Sequence, residues 1–234
     1  MITTMHRHVR TLQIVLLVTL LGSAGIAARG RHPAQAARDF SQWEKDVAAF
    51  EAADRTNPPP KDATLFVGSS TIVRWTTLQE DFPNQRVINR GFAGNQIVDS
   101  THFADRMIVP YRPRRIFLRA GGNDLHAGKS PEQVFQDFKD FVATIHAKLP
   151  NTEIVYISLA PSIARWEERE ATKKLNALVE DYVKKGRRLK YIETYDTTLD
   201  AKGQPRPELF VEDKLHFSPE GYKLLIERVR PFVK

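Results

Sequence analysis

The sequence contains no cysteine among its 234 residues. This absence excludes disulfide bonds, a cysteine nucleophile, thiolate metal sites and a lipidated cysteine. Apolar residues make up 41% of the chain and aromatic residues 9%, which is enough for a hydrophobic core. A domain of this size can be stable on such a core without cross-links. Length and composition therefore predict one domain of ordinary size, alone or with a tail.

Two kinds of ligand-binding motif are also missing. The sequence has no His-x-x-x-His pair on a predicted helix and no cluster of carboxylates, so metal-dependent hydrolysis is disfavoured. It also lacks the glycine-rich loops that bind nucleotide phosphates. We therefore expect no metal ion and no cofactor.

Acidic residues are absent from residues 1–37, which contain four arginines: Arg7, Arg10, Arg29 and Arg31. Leaving these four out lowers the formal net charge from +7 to +3. The remaining surplus is mild and is spread over predicted helical faces, whereas nucleic-acid-binding proteins concentrate theirs in a patch. The sequence therefore does not favour a nucleic-acid partner.

The first 37 residues have the layout of a secretory signal. A basic segment, His6–Arg10, precedes the apolar segment Leu12–Leu21, and small residues follow. This order is typical of a signal peptide that is cleaved after Ala27, Ala28 or Ala36.

An uncleaved membrane anchor is the alternative for the same stretch. Residues 11–28 carry no charge and are nearly long enough to span a bilayer. Both interpretations predict that the folded part, residues 38–234, is exported, either to the periplasm or to the medium.

From residue 39 onward, the hydrophobic pattern predicts an α/β fold. An amphipathic helix over residues 39–55 precedes an alternation of short apolar strands and helical segments. We expect strands at residues 63–67, 86–89, 115–119, 153–159 and 189–193, and helices from about residue 71, over 97–107, 130–148 and 166–185, and from residue 219. Such alternation predicts a three-layer sandwich: a five-stranded parallel sheet in flavodoxin-like order, with helices on both faces.

The first predicted strand ends in a loop that contains two serines. The apolar run Thr64–Val67 stops at Gly68, and Ser69 and Ser70 follow where a helical pattern begins. Ligands bind at the carboxyl edge of such sheets, and amides at a helix start favour developing negative charge. Either serine is also a good N-cap, so this loop alone favours a structural role.

Three further loops carry the polar groups that a serine nucleophile needs. Gly91–Asn95 and Gly121–Asp124 follow the second and third strands and offer backbone amides and a carboxamide. Asp213–His216 places an acid three residues before a histidine, so the carboxylate can hold one ring nitrogen while the other takes a proton from serine. Each loop taken singly is better explained by turn glycines, a loop cap, a surface acid or a packed histidine. Together the four loops predict that a nucleophile, its oxyanion donors, a base and the acid that orients the base lie along one edge of the sheet.

These four blocks, in this order, resemble the SGNH (GDSL-type) hydrolases, a superfamily of serine esterases and lipases. The matching blocks are Phe66–Ser70, Asn89–Asn95, Gly121–Asp124 and Asp213–Ser218. The resemblance runs from about Phe40 to the C-terminus and is strongest to bacterial proteins of the platelet-activating-factor-acetylhydrolase-like type. It implies the SGNH hydrolase version of the predicted fold.

The resemblance implies a role for each matching residue. Ser70 matches the nucleophile, His216 the base and Asp213 the acid that orients the base. The oxyanion donors fall on the amides of Ser70 and Gly94 and on the carboxamide of Asn123.

One position departs from the family pattern, because Ser69 stands where an aspartate is usual. That aspartate is not the triad acid, so the triad is retained, but the loop lacks a carboxylate beside the nucleophile. We prefer Ser70 to Ser69 because it aligns with the family nucleophile and is better placed to open the helix. Ile72 stands where a Gly-x-Ser-x-Gly elbow needs glycine, which argues against that other serine esterase design.

The sequence therefore predicts an exported serine esterase that hydrolyses small acyl esters, such as O-acetyl groups on carbohydrate or lipid. One alternative is a lysophospholipase or thioesterase for longer acyl chains, which needs a deeper apolar trough. Another is a catalytically silent carbohydrate- or lipid-binding domain, in which Trp75 and Trp166 stack on sugar or else belong to the core. His126, three residues beyond Asn123, is a further candidate for lining the pocket.

Overall fold

A five-stranded parallel sheet lies at the centre of the part of the chain that the computed structural model describes, which is Met1 and residues 38–233. The strands are β1 (Thr64–Gly68), β2 (Val87–Gly91), β3 (Arg115–Arg119), β4 (Glu153–Ile157) and β5 (Leu189–Ile192). Their order is β2-β1-β3-β4-β5, and every neighbouring pair is parallel. This is the flavodoxin-like order, so the predicted fold class and strand order are confirmed.

Helices connect the strands and cover both faces of the sheet. They are α1 (Glu44–Thr56), α2 (Ser70–Val73), α3 (Leu78–Asp81), α4 (Ile97–His102), α5 (Ala104–Met107), α6 (Gly122–His126), α7 (Pro131–Lys148), α8 (Arg169–Lys185) and α9 (Pro219–Val233). Short 3₁₀ segments, Ser41–Trp43 and Trp166–Glu168, lead into α1 and α8.

The strand side chains alternate between two hydrophobic clusters, one on each face of the sheet. In β1, Leu65 and Val67 belong to the larger cluster and Phe66 to the smaller one, and all three are fully buried. Helices α1, α4, α5, α7 and α8 cover the larger cluster, whereas α2, α3 and α9 cover the smaller one. Burial on both faces explains why the strands are continuous apolar runs in the sequence.

Two segments predicted as single helices are divided in the structure. The segment that follows Gly68 forms two single turns, α2 and α3, separated by Trp75, which is buried beside Phe66 at a ring distance of 5.4 Å. The segment 97–107 is divided at Phe103, whose side chain is also buried. In both places the backbone leaves the helical path where a large aromatic ring enters the core, because tertiary packing outweighs local helix propensity.

Both Ser-Pro pairs begin helices, as predicted. Ser130 Oγ accepts a hydrogen bond from the Gln133 amide at 3.2 Å, and the Gln133 side chain returns one to the Ser130 amide at 2.8 Å. Ser218 Oγ likewise accepts from the Gly221 amide at 3.2 Å. Strand boundaries differ from the prediction by one or two residues, since β2 extends to Gly91 and β4 ends at Ile157.

The predicted signal peptide or anchor, residues 1–37, lies outside the described residues except for Met1, and so do its candidate cleavage sites. Within the described part of the chain, no helix is both long and apolar enough to span a bilayer.

Candidate active site

A close backbone crossing at the end of β1 determines where the two serines lie. Gly68 adopts φ +152°, and a Cβ built on it would lie 2.2 Å from the carbonyl oxygen of Arg119 in β3. The same carbonyl accepts a hydrogen bond from the Ser69 amide at 3.2 Å. Only glycine allows this approach, so Gly68 turns the chain and places Ser70 as the first residue of α2.

Ser70, rather than Ser69, contacts the predicted base. Ser70 Oγ lies 2.8 Å from Nε2 of His216, and Nδ1 of the same ring lies 2.6 Å from Oδ2 of Asp213. A carboxylate only accepts hydrogen bonds, so Nδ1 carries the proton and Nε2 is the acceptor for the serine hydroxyl. The structure thus brings the three predicted triad residues together in the predicted order.

The loop that carries His216 is held by Asp213 itself. Asp213 Oδ1 accepts hydrogen bonds from the backbone amides of Leu215 and His216, each at 2.9 Å. These two amides and the His216 ring hold the pKa of the Asp213 carboxyl well below its usual range. The carboxylate is therefore ionised at neutral pH and fixes the direction of the imidazole.

Besides the Ser70 amide, the predicted oxyanion donors are Gly94, in the loop after β2, and Asn123, in α6 after β3. Asn123 Nδ2 donates to the carbonyl of Asn95 at 3.0 Å, which ties the third sequence block to the residue after Gly94. Gly94 has φ +76° with open space around its Cβ position. Within the described residues, no protein acceptor takes the amides of Ser70 and Gly94, so both remain available. Asn123 Nδ2 keeps a second hydrogen.

A model of the GDSL-like lipase/acylhydrolase family matches residues 68–224, a range that contains all five predicted site residues: Ser70, Gly94, Asn123, Asp213 and His216. This chain belongs to that family. The family's members are serine ester hydrolases, so this GDSL-like chain is an enzyme of that class. No curated protein sequence matches the chain significantly.

Solved structures share the fold of this GDSL-like hydrolase. A candidate platelet activating factor from Streptococcus pneumonia has a TM-score of 0.73 at 20% identity, covering 83% of this chain and 94% of that one. A GDSL-like lipase from Bacteroides thetaiotaomicron has a TM-score of 0.65 at 17% identity, covering 83% and 97%. An acetyl-xylooligosaccharide esterase from Geobacillus Stearmophilus, solved as a mutant, has a TM-score of 0.60 at 15% identity, covering 74% and 94%.

Asp124 follows Asn123 in the third block of this GDSL-like chain, and its buried carboxylate holds together the segments on either side of it. Its buried carboxylate accepts from the Ile97 amide at 3.3 Å and from Lys129 Nζ at 3.2 Å. Burial raises the pKa of Asp124, the Lys129 charge partly offsets this rise, and the resulting pKa is about 6. Through these bonds Asp124 joins the start of α4 to the start of α6.

Arg119 is a buried cation close to Phe217, the residue after His216, and the sequence reasoning missed it. Its guanidinium donates to the carbonyl of Ser158 and to Thr194 Oγ1, and lies 5.5 Å from the centre of the Phe217 ring. Burial lowers the pKa of Arg119 to about 10, so it stays charged at neutral pH. The available signal in the sequence is a charged residue, Arg119, directly after the apolar run Ile116–Leu118 at the carboxyl end of β3.

A pocket opens beside Ser70 and His216. Its lining combines apolar side chains with charged and hydroxyl groups: Leu159, Pro161, Phe210, Leu215 and Phe217 on one hand, and Arg119, Ser162, Arg165, Glu168 and Thr172 on the other. The lining therefore mixes polar and apolar groups throughout, unlike an apolar trough.

The other candidate residues lie away from the reacting groups. Trp75 is buried in the smaller cluster and donates from Nε1 to Asp81 at 2.7 Å, so it is a core residue. Trp166 lies 4.8 Å from the Arg169 guanidinium and is not part of the pocket lining. His126 is exposed and lies 2.6 Å from Glu168, so it reaches the pocket edge only through that carboxylate.

Metal ligation has no candidate in residues 38–233, because no group of three histidine or carboxylate side chains comes together there.

Proposed function

We propose that this chain is an exported esterase that hydrolyses small acyl esters through Ser70, His216 and Asp213. The observation that carries the proposal is the continuous contact from Ser70 Oγ to His216 Nε2, 2.8 Å, and from His216 Nδ1 to Asp213 Oδ2, 2.6 Å. A nucleophile in contact with its base, and a base in contact with its orienting acid, form the arrangement that activates a serine.

In the first half of the reaction, Ser70 Oγ attacks the ester carbonyl carbon while His216 Nε2 takes the hydroxyl proton. The Asp213 carboxylate stabilises the imidazolium that forms. The amides of Ser70 and Gly94 and the Asn123 carboxamide donate to the oxyanion of the tetrahedral intermediate. Each such donor is worth roughly 3–4 kcal/mol of barrier lowering. His216 then protonates the departing alkoxide, and an acyl-enzyme remains.

In the second half, water attacks the acyl carbon and His216 takes a proton from it. The same donors receive the second oxyanion. When this intermediate collapses, His216 returns the proton to Ser70 Oγ, and the carboxylic acid leaves. The cycle uses no group from outside the protein other than ester and water.

The charged pocket lining supports a short acyl group. An apolar chain that filled the pocket would cover the partly exposed guanidinium group of Arg165 and the partly exposed carboxylate of Glu168, and removing such charges from water is unfavourable. An acetyl group ends before such coverage is needed. The esterase from Geobacillus Stearmophilus, which shares the fold, carries acetyl-xylooligosaccharide in its name, so acetylated carbohydrate is a reasonable first substrate to test.

A panel of p-nitrophenyl esters tests the proposal. We expect kcat/KM to be highest for acetate, to fall for butyrate and to fall further for octanoate. A maximum at octanoate would instead favour the lysophospholipase or thioesterase alternative. No hydrolysis of any ester would favour a catalytically silent binding domain.

Export is proposed from the sequence of residues 1–37 alone, and cell fractionation tests it. We expect the protein outside the cytoplasm. Mass spectrometry of its N-terminus distinguishes a cleaved signal from an anchor, because cleavage after Ala27, Ala28 or Ala36 removes the apolar segment.

A further inference from the structure

We propose that Arg165 is a positioning residue that sets the orientation of the oxyanion carboxamide of Asn123. Arg165 lies in the loop between β4 and α8, outside the four sequence blocks, and this role rests on the proposed function of Asn123. Its guanidinium holds two consecutive residues: Nη1 donates to the Gly122 carbonyl and Nη2 to Asn123 Oδ1, each at 3.1 Å. One planar group thereby constrains the backbone and the side chain of the third block together.

The partners of Asn123 allow only one orientation of its carboxamide. Arg165 has donors but no acceptor, so it must face Oδ1. The Asn95 carbonyl is an acceptor, so it must face Nδ2, at 3.0 Å. If the carboxamide were rotated by about 180°, its NH₂ group would face the Arg165 donors and its oxygen would face the Asn95 carbonyl oxygen, and both hydrogen bonds would be lost. The second Nδ2 hydrogen is thereby left for the pocket that Asn123 lines.

The charge of Arg165 also strengthens Asn123 as a donor. A cation at Oδ1 polarises the carboxamide and increases the partial positive charge on the Nδ2 hydrogens. The guanidinium is half-buried, where such interactions are less screened than in bulk water. Both the orientation and the polarity of the predicted oxyanion donor therefore depend on Arg165.

The segment that carries Arg165 also contacts the loop of the base. The amide of Ala164 donates to the carbonyl of Lys214 at 3.0 Å, and Lys214 lies between Asp213 and His216. The Arg165 amide is itself held by Ser162 Oγ at 3.3 Å. One short segment, residues 162–165, therefore makes hydrogen bonds both to the Asn123 carboxamide and to the loop that carries the base.

Replacing Arg165 tests this role in the full-length enzyme. We expect Arg165→Ala to lower kcat for p-nitrophenyl acetate by about 10- to 100-fold, less than the roughly 10²–10³-fold loss for a deleted oxyanion donor, with KM changed little. Arg165→Lys keeps the charge but offers no planar fork, so we expect it to regain only part of kcat. Arg169→Ala is the matched control, since Arg169 lies four residues further along, at the start of α8, and donates to the Trp166 carbonyl instead, and we expect it to leave kcat unchanged.

Combination with Asn123→Ala separates positioning from a general structural effect. If Arg165 acts through Asn123, Arg165→Ala lowers kcat in the wild type but has little further effect in Asn123→Ala, because the group it positions is gone. Millimolar guanidinium chloride is expected to restore part of kcat in Arg165→Ala and none in Asn123→Ala. Additive losses in the double variant, or full activity of Arg165→Ala, would overturn the inference. If the wild-type enzyme hydrolysed none of the esters, that result would instead contradict the proposed function.

Discussion

The hydroxyl of Ser70 and the imidazole of His216 lie 2.8 Å apart although 146 positions separate them in the chain. Ser70 is placed by the close crossing of Gly68 over Arg119, and His216 by the Asp213 loop before α9. The contact therefore forms only when both ends of the domain have packed against the sheet. Activity is for this reason a sensitive measure of the intact fold.

Replacing each of the two adjacent serines distinguishes nucleophile from neighbour. We expect Ser70→Ala to lower kcat for p-nitrophenyl acetate by about 10³-fold or more, because no hydroxyl then faces His216. Ser69→Ala is the matched control and is expected to stay within a few-fold of wild type. Circular dichroism should show native signals for both. The reverse pattern would assign the nucleophile to Ser69.

Removing the charge of Asp213 should lower the rate of ester hydrolysis. Asp213→Asn is expected to lower kcat by on the order of 10²–10⁴-fold, because the ring loses the acceptor that fixes its tautomer.

In the wild type, the depressed pKa of Asp213 means that its carboxylate is present above the ordinary carboxyl pKa and is lost only in stronger acid. The stabilisation from this group should therefore be fully present and constant between pH 5 and pH 7, and should be lost only in stronger acid. Wild-type activity in Asp213→Asn would contradict the proposed pairing of Asp213 with His216.

The raised pKa of Asp124 predicts the opposite pH dependence of stability. Above pH 6 the buried carboxylate is charged, which is unfavourable; as the pH falls from about 6 towards 4, the folded protein takes up a proton that the unfolded chain does not. Its contribution to the free energy of unfolding should therefore rise over that window. Asp124→Asn should lack this rise. Urea unfolding at several pH values measures the difference between the two proteins.

A methyl group at Gly68, introduced by Gly68→Ala, should disrupt the turn that places Ser70 after β1. Its Cβ would lie 2.2 Å from the Arg119 carbonyl oxygen, so β1 and β3 would have to separate. Gly203→Ala is the matched control, because Gly203 also has a positive φ, +72°, but open space around it. The control is expected to lose about 1–2 kcal/mol from backbone strain. Gly68→Ala should lose more stability in thermal unfolding, together with its activity.

Local features account for the part of the fold and site that sequence reasoning predicted. Runs of apolar residues buried on both faces indicate strands, glycine- and serine-containing blocks mark the ends of strands, and Ser-Pro pairs mark the starts of helices. The Asp213–His216 pair is also local, because three residues separate acid from base. The division of the helix at Phe103 was not predictable in this way, since it depends on which core the ring enters.

By itself, the sequence determined the strand count and order, the four blocks and the identity of Ser70, Asn123, Asp213 and His216 as candidates. Only the tertiary structure decided which serine faces the imidazole, that Arg119 is buried against the Phe217 ring, and that Arg165 holds Asn123 from 42 residues away. The physical reason is that these contacts join loops from different strands. Their geometry depends on how the whole sheet packs, whereas the strand pattern depends on neighbouring residues alone.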